Sequence, residues 1–231
     1  LGVPRDADDS DDLLIDHEVY VESYNPALNA ANWVSWHLVE GDLGDSDRSN
    51  AFHTDDDLPD GIYHVTPDDY AHTGFDRGHL CPSADRTHDD SSNALTFLMT
   101  NMHAQAPELN RVTWKALEVY ERDLVQSGKE VFVVAGGLFS SHPKTIGHGI
   151  AVPDAEYKII VVLADGEGLG DVTASTIAIA VIMPNTAAVK MKTWNAYIVS
   201  VDEIEQQSGY DFMSALPDNT ETVIEARRLS L

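Results

Sequence analysis

Apolar positions along the chain follow two periods. Val19-Tyr20-Val21 and Trp33-Val34-Ser35-Trp36-His37-Leu38-Val39 alternate in the two-residue rhythm of strands, with Asn25-Pro26 and Asn29 to Asn32 as turn residues between them. Glu130 to Ala135, 157–164 and 176–183 are nearly unbroken apolar runs, which predict buried strands; Pro184 stops the last. Trp194 to Val201 predicts a further short strand. Residues 107–127 change to a helical rhythm. Pro107 suits the first turn, Glu108 the positive end of the dipole and Gly128 the C-terminal cap, while Leu109, Val112, Leu117, Tyr120 and Leu124 can supply core contacts. A short helix opens at Val201-Asp202-Glu203-Ile204-Glu205 and ends at Gly209. Strands and helices in this mixed order predict an α+β domain.

Two segments lack apolar rhythm. Residues 1–17 are acidic and read as an N-terminal arm, mobile or loosely docked, ahead of a single domain over 18–231. Residues 41–74 are rich in Gly, Asp and Pro, and a connection of that length inside a domain is often functional. The 231 residues, 43% hydrophobic, suffice for one core. No apolar run of about 18 residues occurs, so no membrane span is expected. The chain begins Leu1-Gly2-Val3-Pro4 without an initiator Met, which fits a product trimmed of a leader. The single cysteine, Cys81, excludes an internal disulfide and reads as a small semi-buried residue.

Charge complicates the picture. Asp plus Glu number 39 against 14 Lys plus Arg, a formal net charge of −25. Such a chain should repel a polyanion. That leaves a surface adapted to high salt, the preferred explanation, or a partner other than nucleic acid. The runs Asp55-Asp56-Asp57, Asp68-Asp69 and Asp89-Asp90 lack calcium-loop spacing and read as solvated surface.

The strongest chemical signal is Phe75-Asp76-Arg77-Gly78-His79-Leu80-Cys81-Pro82-Ser83-Ala84-Asp85-Arg86. Arg77 offers a planar fork to phosphate oxygens, and His79 can accept a proton from water near neutral pH. Gly78 would allow a bend that brings the two together. The helix from 107 adds Asn110, Trp114, Glu118 and Arg122 at intervals of four. On an α-helix Asn110 and Glu118 would be about 80° apart around the axis and about 12 Å along it, able to flank one hydrated ion. Trp114 reads as a core anchor.

Asp76-Arg77-Gly78-His79 resembles the DRGH motif of the DNA/RNA non-specific endonucleases, a ββα-metal nuclease family. Asn110-x-x-x-Trp114-x-x-x-Glu118-x-x-x-Arg122 is similar to the family's metal-site helix. Trp33-Val34, Gly136-Gly137, and Val201 to Glu205 with Gly209 extend the likeness over residues 18 to 217. The resemblance implies a mostly antiparallel central sheet flanked by helices, with long loops. It implies that Asn110 is the direct protein ligand of a hydrated Mg²⁺, with Mn²⁺ as a substitute. His79 would be the general base, and Glu118 would order the metal-bound waters. Arg77, Arg122 and Arg48, the last from the loop before the motif, would bind the substrate and neutralise charge on the phosphate. Asp76 and Gly78 would be structural, Asp76 orienting Arg77 or the bend. DNA and RNA would be cut through backbone contacts, leaving 5′-phosphorylated oligonucleotides, by an enzyme secreted after loss of its signal peptide.

His53, His64, His72, His88, His103, His142 and His148 are expected at the surface or in loops. Arg77, Arg86, Arg111, Lys115 and Arg122 fall in the motif region and predict local positive potential within an acidic shell, hence activity in high salt. Two other readings stay open on residues alone: a structure-selective or DNA-only ββα-metal nuclease, and a nonenzymatic acidic domain that mimics DNA or binds a basic partner.

Overall fold

The computed structural model describes residues 1–230. Eleven strands form among them. Seven make one antiparallel sheet: β1 (Leu13–Asp16), β2 (Val21–Asn25), β3 (Ala30–Leu38), β6 (Lys129–Leu138), β9 (Ala155–Ala164), β10 (Ile177–Pro184) and β11 (Ile198–Val199), adjacent in that order. β4 (Asp76–His79) pairs with β5 (Met102–Gln105) apart from this sheet, and β7 (Thr145–Ile146) pairs with β8 (Ile150–Ala151). The α-helices are α1 (Asp90–Leu95), α2 (Lys115–Gln126), α3 (Val201–Ser208) and α4 (Asp218–Glu225).

The apolar runs are unbroken because the central strands are covered on both faces. Along β6, Val131, Val133 and Ala135 join the core shared with Trp114 and Leu117, while Val134 joins the opposite core with Val201, Ile204 and Ile224. The period of two therefore sorts one strand into two cores. Gly128 (φ +84°) follows α2, and Gly209 (φ +85°) caps α3 in the left-handed conformation, as their positions predict.

Several local expectations change. Residues 1–17 are docked more closely than a loose arm: Leu13–Asp16 is a sheet strand, and Arg5 and Asp211 exchange backbone hydrogen bonds. Of Trp194 to Val201 only Ile198–Val199 is strand; Trp194–Tyr197 is a 3-10 turn. The long helix begins as a π-helical segment, Leu109–Trp114, before α2. Its wider turn invalidates the α-helical projection from Asn110 to Glu118. Val112 is half exposed rather than core.

Candidate active site

Strand alternation builds half of the site. On β4, Arg77 and His79 share a face. Gly78 is required on the other face, where a Cβ would overlap the side chain of Gln105 on β5. Its role is close packing within a paired strand, not the bend expected from sequence. Asp76 supplies a further correction, because it does not orient Arg77. Its carboxylate grips Arg111 with two bonds of 2.6 and 2.7 Å and accepts from Asn110 Nδ2 at 3.0 Å. Burial raises the Asp76 pKa, but the bonds from Arg111 and Asn110 outweigh it and hold the carboxyl below its usual range. An ionised carboxylate only accepts, so the amide NH₂ of Asn110 must face it and Oδ1 is left as the free acceptor.

The loop 41–74 supplies the second wall. Arg48 donates to Ser83 Oγ at 3.0 Å and to Asn50 Oδ1 at 2.8 Å, and lies 4.8 Å from the centre of the Phe97 ring. Arg77 stacks on Phe52 at 4.1 Å. The Phe52 and Phe97 rings contact each other, and His79 packs against both at 5.6 and 4.9 Å. One aromatic pair thus holds two guanidiniums and the imidazole. The imidazole is 7% exposed, and its Nε2 has no hydrogen-bond partner. Burial, then the charges of Arg48 and Arg77, push its pKa down to about 3.

The helix supplies the third wall. Arg122 donates to Asp85 Oδ1 at 2.7 Å, and buried Asp85 also accepts from Trp36 Nε1 at 3.1 Å. Glu118 faces the cleft; burial raises its pKa, while Lys158, Arg122 and Arg48 pull it down. Beneath it, fully buried Lys158 pairs with Glu121 at 3.1 Å and sits over the rings of Trp114 and Trp36.

Arg48, Arg77, His79, Asn110, Glu118 and Arg122, all singled out from sequence, line one cleft of about 380 Å³, with Arg111 and Lys115 beside them. Five of the chain's 14 basic residues face one acid there. Arg86 is not among them: buried, it donates to the carbonyls of Val19 and His37. Cys81 is wholly buried, and burial pushes its thiol pKa up, so it offers no nucleophile. His103 is also buried, between Glu156 and the Ala31 carbonyl, not at the surface. Asp55 and Asp69, read as solvated, are buried too. Sequence reasoning missed Asp85, Phe97, Lys158 and the role of Phe52. Asp85 lay inside the quoted motif run, and Lys158 was a lone cation in an apolar strand.

The family model for DNA/RNA non-specific endonucleases matches residues 5–219. The protein belongs to that family. The family's members are metal-dependent nucleases. This endonuclease-family chain is 46% identical to a nuclease of Nostoc sp. over 94% of its own length and 79% of the relative's. It is 31% identical to human mitochondrial endonuclease G over 85% of this chain and 68% of that protein. It is 32% identical to nuclease C1 of Cunninghamella echinulata over 89% and 84%. A crystal structure of an EndoG/EndoGI complex superposes with a TM-score of 0.80 at 25% identity, covering 95% of this chain and 93% of that one. The structure of this endonuclease matches a ββα-metal nuclease over nearly its whole length, and in it β4 and β5 precede the helix that carries Glu118 and Arg122.

Proposed function

We propose that this protein hydrolyses phosphodiester bonds in DNA and RNA, single- and double-stranded, and leaves 5′-phosphorylated oligonucleotides. The observation that carries the reading is the unpartnered Nε2 of His79 in a cleft with four arginines and the free amide oxygen of Asn110.

The donor set fits a hydrated magnesium ion. Asn110 Oδ1 is a hard, neutral oxygen held outward by Asp76, and Glu118 adds a nearby carboxylate. One protein ligand suits an ion that gives up its waters reluctantly, and Mn²⁺ would fit the same oxygens. When bound, the metal supplies Lewis acidity and a template for the scissile phosphate. Arg48, Arg77 and Arg122 bind phosphate oxygens and offset charge that develops on them. His79 is neutral at pH 7 and takes a proton from water at Nε2. A base with a pKa near 3 is weak in the free protein. Phosphate seated against Arg48 and Arg77 cancels the charges that help depress it, so the substrate itself makes His79 more basic.

Contacts to backbone phosphates rather than base edges account for tolerance of both sugars. The excess of acid over base in the chain, with five of its 14 basic residues at the cleft, supports an enzyme that works in high salt, and we further propose that it is secreted. The test is digestion of plasmid DNA and of RNA with Mg²⁺, with EDTA, and with His79→Ala. Loss of both cleavages in the last two conditions is expected; full activity in His79→Ala would remove the general-base assignment.

A further inference from the structure

A second cluster of metal-binding groups lies outside the cleft. His17 follows β1, Glu22 is on β2 and Asp55 is in the loop that also carries Arg48 and Phe52. Their side chains are 1%, 0% and 1% exposed. His17 Nε2 stands 3.1 Å from Glu22 Oε1 and 3.4 Å from Asp55 Oδ2, and the three ligand atoms lie within 4.8 Å of one another. Two donors bound to a tetrahedral zinc at about 2.0–2.1 Å are about 3.3 Å apart, which matches both contacts.

Two further observations point to a missing cation. Glu22 Oε2 is buried with no hydrogen-bond partner, and so is the hydroxyl of Tyr24, two residues on along β2. Charge gives the second. Glu22 and Asp55 place two buried carboxyl groups against a single imidazole, an excess of acid where buried charge is costly. A divalent cation bound to the neutral imidazole brings the group to zero.

We propose that His17, Glu22 and Asp55 form a buried structural site for a divalent transition-metal cation, Zn²⁺ by its mixed nitrogen and oxygen donors. Thr100, whose hydroxyl bonds Asp55 at 2.9 Å, completes the surroundings. The site fastens the loop to the β1–β2 hairpin. Asp55 is three residues past Phe52, the ring that carries Arg77 and packs on His79. The metal thereby acts on the cleft through the position of that wall, and touches no substrate.

The experiment separates this metal from the one in the cleft by working in Asn110→Ala. That protein, purified without chelator, is analysed by plasma mass spectrometry, and refolded from denaturant with and without Zn²⁺ or Co²⁺. About one Zn²⁺ per chain is expected, with a zinc-dependent rise in Tm of about 5 °C or more and visible Co²⁺ absorption after refolding with cobalt. Adding Glu22→Gln or His17→Gln should abolish all three. If a double variant fails to fold, the cobalt spectrum and the Tm shift of Asn110→Ala itself decide the matter. No bound metal in Asn110→Ala, with a Tm indifferent to Zn²⁺, would overturn the proposal, as would a full equivalent retained by the folded Glu22→Gln double variant.

Discussion

Asp76 holds Asn110 by its amide nitrogen, 3.0 Å from Nδ2, while it clamps Arg111 with both oxygens. Orientation of the amide thus depends on a residue one position before the arginine of the motif. Asp76→Ala frees the amide to rotate. We expect the Mg²⁺ requirement of cleavage to rise about 10–100-fold. An unchanged metal titration would show that Asn110 keeps its orientation unaided.

Arg122 is fixed by Asp85, which Trp36 holds in turn. Asp85→Ala leaves a mostly buried guanidinium and an indole nitrogen without a partner. Denaturant unfolding should show a loss of about 3 kcal/mol, and the folded fraction should have a lower kcat because Arg122 is no longer aimed. Wild-type stability in this variant would contradict the anchoring role.

His79 links acidity to both rate and stability. Its folded pKa, about 3, lies below the ordinary value of 6.5. In the unfolded chain it takes up a proton near 6.5, while the folded protein resists until about 3. Stability from the neutral buried ring is therefore intact above pH 6.5 and lost progressively as pH falls toward 3. Wild type should lose stability relative to His79→Asn across that window, and a constant difference would refute it. In kinetics, the acid limb of kcat should lie at higher pH than that of kcat/KM, because bound phosphate offsets Arg48 and Arg77. Coincident limbs would mean that the substrate does not tune this base.

Salt should affect this enzyme less than an ordinary nuclease. With a net charge of −25, the chain as a whole repels the substrate, while five basic residues at the cleft attract it. In about 1 M salt the screening length falls to about 3 Å, which silences the surface but spares direct contacts. Cleavage rates measured from about 0.05 to 2 M NaCl should stay level or rise. A maximum below about 50 mM with a steady fall beyond it is the signature of counterion release alone, and would end the high-salt reading.

The sequence by itself determined the long strands β3, β6, β9 and β10, the helical stretch that follows the motif, and six residues, Arg48, Arg77, His79, Asn110, Glu118 and Arg122, that meet in one cleft. It could do so because those features are local: period-two apolar runs, and a short motif joined to residues spaced along one helix. It misjudged what depends on neighbours distant in the chain. Gly78 is explained only by Gln105 across the β4–β5 pair, and Asp76 only by Asn110 and Arg111, more than thirty residues on. His103, Asp55 and Asp69 looked like solvated polar residues, because burial is a property of what covers a side chain, and the covering groups lie elsewhere in sequence. The basicity of His79 was equally hidden: two aromatic rings and two guanidiniums from three separate segments set it, and only the folded chain brings them together.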